Sequence, residues 1–328
     1  ETMRTRNELY QAAMRTVSAR RQMARAAAQD ARAEAEAAVP GLRAAEDAVR
    51  TCGVRCALAG ARGADRAAAT AALAEARQKR DALLTASGRS PLALEPKFTC
   101  PLCQDTGVAE GKTCQCVRRE MQRLRREEIE AMSSLSVTSF DTMKLDYYPN
   151  TRDPQTGRTV RQYMAELLAD LQDYAAAFDL DSENLMLTGN AGLGKTHAAL
   201  AVAGSALDKG FDVIYISSPD FFSRVETLHF GSDPAGEKDA LLETVSGADL
   251  LILDDLGTEF NSSFVISTLY SLLNDRLGRR RPTILTTNIT DGTLLEKLYT
   301  EKVASRISAF VPYRFLGEDI RLKKAMEE

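Results

Sequence analysis

The densest chemistry in the chain lies in eight consecutive residues, Gly189-Asn190-Ala191-Gly192-Leu193-Gly194-Lys195-Thr196. They fit G-x-x-x-x-G-K-[ST] and stand between an apolar strand candidate at 185–188 and a helical stretch at 195–208. The glycines let backbone N–H groups turn inward around phosphate oxygens, and the following helix points its positive end at the same anion. Lys195 is the fixed charge for the β- and γ-phosphates, and Thr196 offers a hydroxyl to Mg²⁺. A second set follows in Leu250-Leu251-Ile252-Leu253-Asp254-Asp255, an apolar strand that delivers carboxylates to the sheet edge where open α/β sheets bind ligands. Asp254 is the candidate Mg²⁺ partner. Asp255 is the candidate base for the attacking water, with Glu259 four residues on as the alternative. Asn288 ends a third strand, 283–287, where an amide can donate to a γ-phosphate oxygen and orient water, or simply start a turn.

The other chemical cluster is Cys100, Cys103, Cys114 and Cys116, a C-x₂-C pair followed by a C-x-C pair. Four thiolates so spaced can converge on a tetrahedral Zn²⁺; an Fe–S centre and free thiols are the alternatives. Cys52 and Cys56, four apart on a helical stretch, read as packing residues.

These groups need scaffolds. Strand candidates at 185–188, 213–216, 250–253, 283–287 and 310–315 alternate with helical stretches at 195–208, 219–228, 236–245, 262–277 and 291–308. Such alternation predicts a five-stranded parallel α/β sheet with helices on both faces, preceded by a helix near 161–177. The N-terminal part is different. Residues 5–38 lack Pro and Gly, Val39-Pro40-Gly41 breaks the run, and a second helical stretch covers 62–87, so a helical hairpin or coiled-coil arm is expected. The expected divisions are an arm over 1–97, a cysteine module and helix over 98–135, a linker over 136–160, and the nucleotide domain over 161–328.

The chain has 328 residues, a net charge of −4, 44% hydrophobic residues and no Trp, a composition that excludes disordered and histone-like basic proteins. The charge is uneven: residues 1–130 carry net +6 and residues 131–328 net −10. The acidic half argues against a large electrostatic footprint on nucleic acid. Arg279-Arg280-Arg281 is a basic run that reads first as a solvated loop; Phe221 and Phe222, beside Arg224 and His229, could stack on a single strand but read first as core. No apolar run approaches the ~20 residues that span a bilayer, so no membrane partner and a cytoplasmic location are expected.

The placement of a strand between the two phosphate-site strands resembles the additional-strand P-loop ATPases. More specifically, LLILDDLGTE, TILTTNI, KVASRI and FLGEDIRLKKA, with the four-cysteine knuckle before them, resemble the DnaC/DnaI bacterial helicase loaders, in the Gram-positive and mobile-element branch. The resemblance covers about 98–328. It implies an AAA+ ATPase that binds a DnaB-type replicative helicase, helps place it on single-stranded DNA, and works as a homo-oligomer or on a helicase hexamer. The related IstB transposition helper is the alternative. By the same resemblance Lys195 and Thr196 match Walker A, Asp254 and Asp255 Walker B, and Asn288 sensor 1. Arg306 matches the arginine finger that reaches a neighbour's ATP, and Arg321 a sensor-2 equivalent. The sequence departs from general AAA+ design in having Asp-Asp where many members have Asp-Glu, and only seven residues follow Arg321.

Overall fold

The computed structural model describes residues 3–62, 66–133, 135–231 and 236–327. They form two compact units, one of residues 1–13 and 118–328, the other of residues 14–117.

The smaller unit is built on helices α1 (Arg6–Ala38), which begins in the larger unit, α2 (Leu42–Arg62) and α3 (Arg66–Ala86). The expected two-helix arm thus has a third helix, α2, and residues 63–65, which fall within the expected second stretch, lie outside the described residues. Gly53 in its middle, a residue that costs ~1 kcal/mol in a helix, weakened its pattern, and only the stretch around Cys52 and Cys56 read as helical. Ala35, Val39, Leu42, Leu84 and Leu94 form a small buried cluster that fixes the α1–α2 turn against the end of α3. The cysteine segment follows. A two-stranded antiparallel hairpin, β1 (Val108–Ala109) and β2 (Lys112–Thr113), turns through Glu110 and Gly111, both left-handed with φ of 52° and 72°. Two left-handed residues give the turn whose twist matches its strands.

The helix α4 (Gln115–Met132), expected with the cysteine module over 98–135, belongs from Arg118 on to the larger unit, which also holds α5 (Val160–Ala177), capped reciprocally by Thr159 and Gln162. Then come β3 (Leu185–Thr188), α6 (Lys195–Asp208), β4 (Val213–Ser217), α7 (Ser218–Phe230), α8 (Glu237–Gly247) and β5 (Leu250–Leu256). The chain continues through α9 (Ser263–Gly278), β6 (Thr283–Thr287), α10 (Gly292–Ile307), β7 (Val311–Arg314) and α11 (Ile320–Glu327). The sheet is wholly parallel, in the order β4-β5-β6-β3-β7, so the Asn288 strand does lie between the other two site strands. The inner strands β3, β5 and β6 and the edge strand β4 are almost wholly buried because both faces are covered, whereas the other edge strand, β7, alternates partly buried and exposed residues. One buried cluster joins α5 and α6 to the sheet, and the other joins α7 through α10. Residues 136–160, expected as a linker, are part of this unit: Tyr148 is 1% exposed, and its hydroxyl donates to Leu193 O at 2.9 Å.

Candidate nucleotide and metal sites

Three strand ends and one loop converge at the C-terminal edge of the sheet. Gly189, Gly192 and Gly194 have φ of 139°, 76° and 93° and shape the loop from β3 into α6. The left-handed φ at Gly192 favours glycine, and a Cβ there would displace the Asp319 carboxylate, which stands 1.9 Å away. Lys195 is 5% exposed. Its ammonium donates to Gly189 O at 2.6 Å, Asn190 O at 2.7 Å and Asn288 Oδ1 at 2.9 Å. The loop and the end of β6 are therefore joined through one charge. Burial lowers the Lys195 pKa to about 8, opposed by the negative charges of Asp255 and Asp254.

Asp254 is buried and receives three hydroxyls. Thr196 Oγ1 donates across 3.0 and 3.1 Å, Tyr215 OH across 2.8 Å and Thr286 Oγ1 across 2.6 Å. Thr196 and Asp254 thus stand together, as a shared Mg²⁺ partner pair requires. Asp255 lines the same cavity as Lys195, Asn288 and Arg321, a space of about 390 Å³. Burial raises its pKa, and the Asp254 charge adds to this, while Lys195 and Arg321 oppose it.

Glu259 is not brought to this cavity. Its carboxylate accepts from Ser218 Oγ at 2.8 Å, from the Gly257 N–H at 3.0 Å and from the Tyr299 hydroxyl, so α7 and α10 hold it away from the phosphate loop. Arg306 does not line the cavity either: its guanidinium packs 5.7 Å from the Tyr270 ring centroid, with Nε buried and unpaired. Phe221 and Phe222 are core residues, at 0% and 1% exposure. In the basic run, Arg279 pairs with Glu243 at 2.9 Å and Asp275 at 3.0 Å, and Arg281 with Asp249 at 2.8 Å.

One wall of the cavity was invisible in the motifs. Thr142, Met143, Lys144, Tyr147 and Tyr148 line it from the segment read as a linker, facing His197 on α6. The His197 ring nitrogen lies 2.7 Å from Thr142 Oγ1. This apolar and hydroxyl-bearing wall adjoins the phosphate loop, where the base and sugar of a nucleotide would rest. The C-terminal segment adjoins this wall and the loop: Phe315 N–H donates to Thr188 O at 2.7 Å, Ile320 N–H to Gly192 O at 2.9 Å, and Lys323 Nζ to Tyr147 O at 2.8 Å.

In the smaller unit the four sulfurs of Cys100, Cys103, Cys114 and Cys116 lie within 4.8 Å of one another. Cys103 and Cys116 are 3.4 Å apart, and Cys100 and Cys114 3.8 Å. Zn–S bonds of ~2.3 Å in a tetrahedron put sulfurs close to these separations, so the donor set fits Zn²⁺. The sequence reading missed Asp105. It is 1% exposed, and its carboxylate accepts the N–H groups of Thr99 at 2.7 Å and Cys100 at 2.9 Å, fixing the first cysteine turn.

The sheet order and the Lys195, Thr196, Asp254 and Asn288 contacts define a P-loop ATPase fold of the AAA+ class. Residues 158–308 match the family described as IstB-like ATP binding protein. A segment of this chain is similar to the replicative helicase loader DnaC. It is 28% identical to that of Escherichia coli strain K12 over 140 residues, 43% of this chain and 56% of the relative. It is 30% identical over 141 residues to an ATP-binding protein of insertion sequence IS1162 from Pseudomonas fluorescens, covering 43% of this chain and 57% of that one. The chain thus spans little more than half the length of these curated relatives. The crystal structure of the DnaC helicase loader aligns with a TM-score of 0.43 at 23% identity, over 54% of this chain and 98% of that one. The crystal structure of DnaI aligns with a TM-score of 0.43 at 21% identity, over 56% and 90%. Among the described residues no helix is long and apolar enough to cross a membrane.

Proposed function

We propose that the protein is an ATP-dependent helicase loader of the cytoplasm, which binds a DnaB-type replicative helicase and promotes its loading on single-stranded DNA. The observation that carries the ATPase part is the direct contact of Lys195 with Asn288 and of Thr196 with Asp254. Four residues from three elements are pre-set around one phosphate position. Thr196 and Asp254 would hold Mg²⁺, which neutralises phosphate charge when bound. Lys195 supplies the fixed countercharge. Asp255 accepts the proton of the attacking water, and the Asn288 amide orients that water. Arg321, in the same cavity, acts on the chain's own nucleotide, and Arg306, outside it, on a neighbour's, which makes the working form an assembly. The four cysteines hold a structural Zn²⁺ in a module suited to partner docking.

The IstB-like match and the insertion-sequence relative favour a second reading, a transposition helper ATPase. Purified protein should be tested for complex formation with a replicative helicase and with a transposase, each with ATP and without nucleotide, alongside hydrolysis with and without single-stranded DNA. Helicase binding that changes with nucleotide supports the loader. Binding to the transposase alone selects the second reading, and failure to bind or hydrolyse ATP removes both.

A further inference from the structure

A regular strand turns successive side chains to opposite faces. Asp254 and Asp255 are consecutive, yet both serve one cavity: Asp254 receives the Thr196 hydroxyl, and Asp255 lines the space beside Lys195 and Asn288. The backbone resolves the conflict. β5 and β6 pair regularly from Leu251↔Thr283 to Leu253↔Leu285, and pairing resumes at Leu256↔Thr287. Two residues of β5, Asp254 and Asp255, therefore stand opposite one residue of β6, Thr286. Such a bulge bends the strand and re-aims a side chain. Asp255 has a φ of 56°, a left-handed conformation that a residue other than glycine keeps only where its surroundings impose it.

Thr286 is fully buried, and its hydroxyl touches both aspartates. It accepts the Asp255 N–H at 2.9 Å and donates to Asp254 Oδ1 at 2.6 Å. The next residue closes the bulge, with Thr287 Oγ1 donating to Leu256 O at 2.6 Å. Asp254 has two further hydroxyl donors, Thr196 and Tyr215, and stays fixed without Thr286. The Asp255 N–H has left the regular ladder and is held by Thr286.

We infer that Thr286 is a positioning residue for Asp255: its hydroxyl locks the β-bulge that swings a short carboxylate toward the water attacking ATP. The inference rests on the ATPase reading and deepens it. Aspartate is one methylene shorter than the glutamate of many AAA+ motors, and here the displaced backbone supplies the reach.

The test uses the full chain. Thr286→Val removes the hydroxyl and keeps the branched shape, and Thr286→Ser keeps the hydroxyl. Thr286→Ala repeats the deletion should the valine chain fail to fold by circular dichroism. ATP hydrolysis is measured at saturating Mg²⁺, and affinity by equilibrium binding of a fluorescent ATP analogue. Misplacement of a reacting group by ~1 Å costs on the order of 10²-fold. Thr286→Val should therefore lower kcat about 10- to 100-fold, with affinity changed less than about threefold. Thr286→Ser should recover most of the rate. Added to Asp255→Asn, Thr286→Val should lower single-turnover hydrolysis no further. An unchanged kcat in the valine and alanine chains, a full further loss in the Asp255→Asn background, or recovery at raised Mg²⁺ would each overturn the inference while the ATPase reading stands. Absence of hydrolysis by the unaltered chain, alone and with helicase and single-stranded DNA, would overturn both.

Discussion

Replacing Arg276 by methionine should destabilise the larger unit by about 3–5 kcal/mol, and the figure follows from one guanidinium. Arg276 is 1% exposed. Nε donates to Thr283 Oγ1 at 2.8 Å, and Nη2 to Pro282 O at 2.6 Å. Nη1 reaches Val245 O at 3.0 Å, Ser246 O at 2.9 Å and Ala248 O at 3.0 Å. The side chain thus satisfies carbonyls left over at the end of α8 and pins them to the entrance of β6. Methionine fills similar space without donors. Each buried acceptor left unmatched costs ~1–3 kcal/mol, and removing a buried charge returns part of that sum. The remainder is a fifth or more of the ~5–15 kcal/mol that holds a typical domain. Urea unfolding followed by tyrosine fluorescence suits the measurement, since the chain has no Trp and all nine Tyr lie in the larger unit. The midpoint should fall by about 1–2 M with the slope unchanged. ATP should restore part of the loss by mass action. A loss under about 1 kcal/mol would refute the reasoning, by showing that the carbonyls find other partners.

Other outcomes follow from the two sites. Purified protein should carry about one Zn²⁺ per chain by elemental analysis, and Cys103→Ser should lose it while ATP binding persists. Arg306→Ala should keep ATP binding and lose most hydrolysis, and mixing it with Asp255→Asn should restore some activity through mixed interfaces; no rescue at any ratio would speak for a self-contained site. Because burial lowers Lys195 to about 8, the unfolded chain holds that proton between pH 8 and the ordinary lysine range and the folded chain does not. Stability contributed by this group therefore rises with pH across that window, whereas phosphate binding needs the ammonium. ATP affinity should fall about tenfold from pH 7 to pH 9, with proton uptake on binding near pH 8 by titration calorimetry, and a flat profile would contradict it.

The phosphate half of the site was legible because its chemistry is local. Gly189 through Thr196 must follow one another for backbone N–H groups to face one anion, and Asp254 must end an apolar strand. The strand positions were legible for the same reason, since each strand carries apolar residues between its own loop signals, whereas of the strand order only the place of 283–287 was expected, and that from the resemblance. The wall formed by Thr142, Met143, Lys144, Tyr147 and Tyr148 was not. Tyr148 meets Leu193 across 45 positions of sequence, and nothing in the Tyr-, Asp- and Pro-bearing stretch around it announces that contact. Glu259 was misplaced by proximity in sequence: four residues past Asp255, it is drawn aside by Tyr299 on a later helix. The bulge was equally hidden, because it consists of a pairing shift against Thr286 rather than of any residue type.

The segment that follows β7 leaves the sheet and lies across the phosphate loop, where Ile320 N–H donates to Gly192 O at 2.9 Å and the Asp319 carboxylate crowds Gly192. Loop and segment are thereby parts of one equilibrium. A partner that gripped α11 more tightly when the loop holds nucleotide would raise nucleotide affinity by the same factor, because coupling free energy has no direction. A fusion, antibody or binding partner attached at this end of the chain then acts on the nucleotide at a distance of one helix. Conversely, the protection of α11 amides against hydrogen exchange becomes a readout of what the phosphate loop holds.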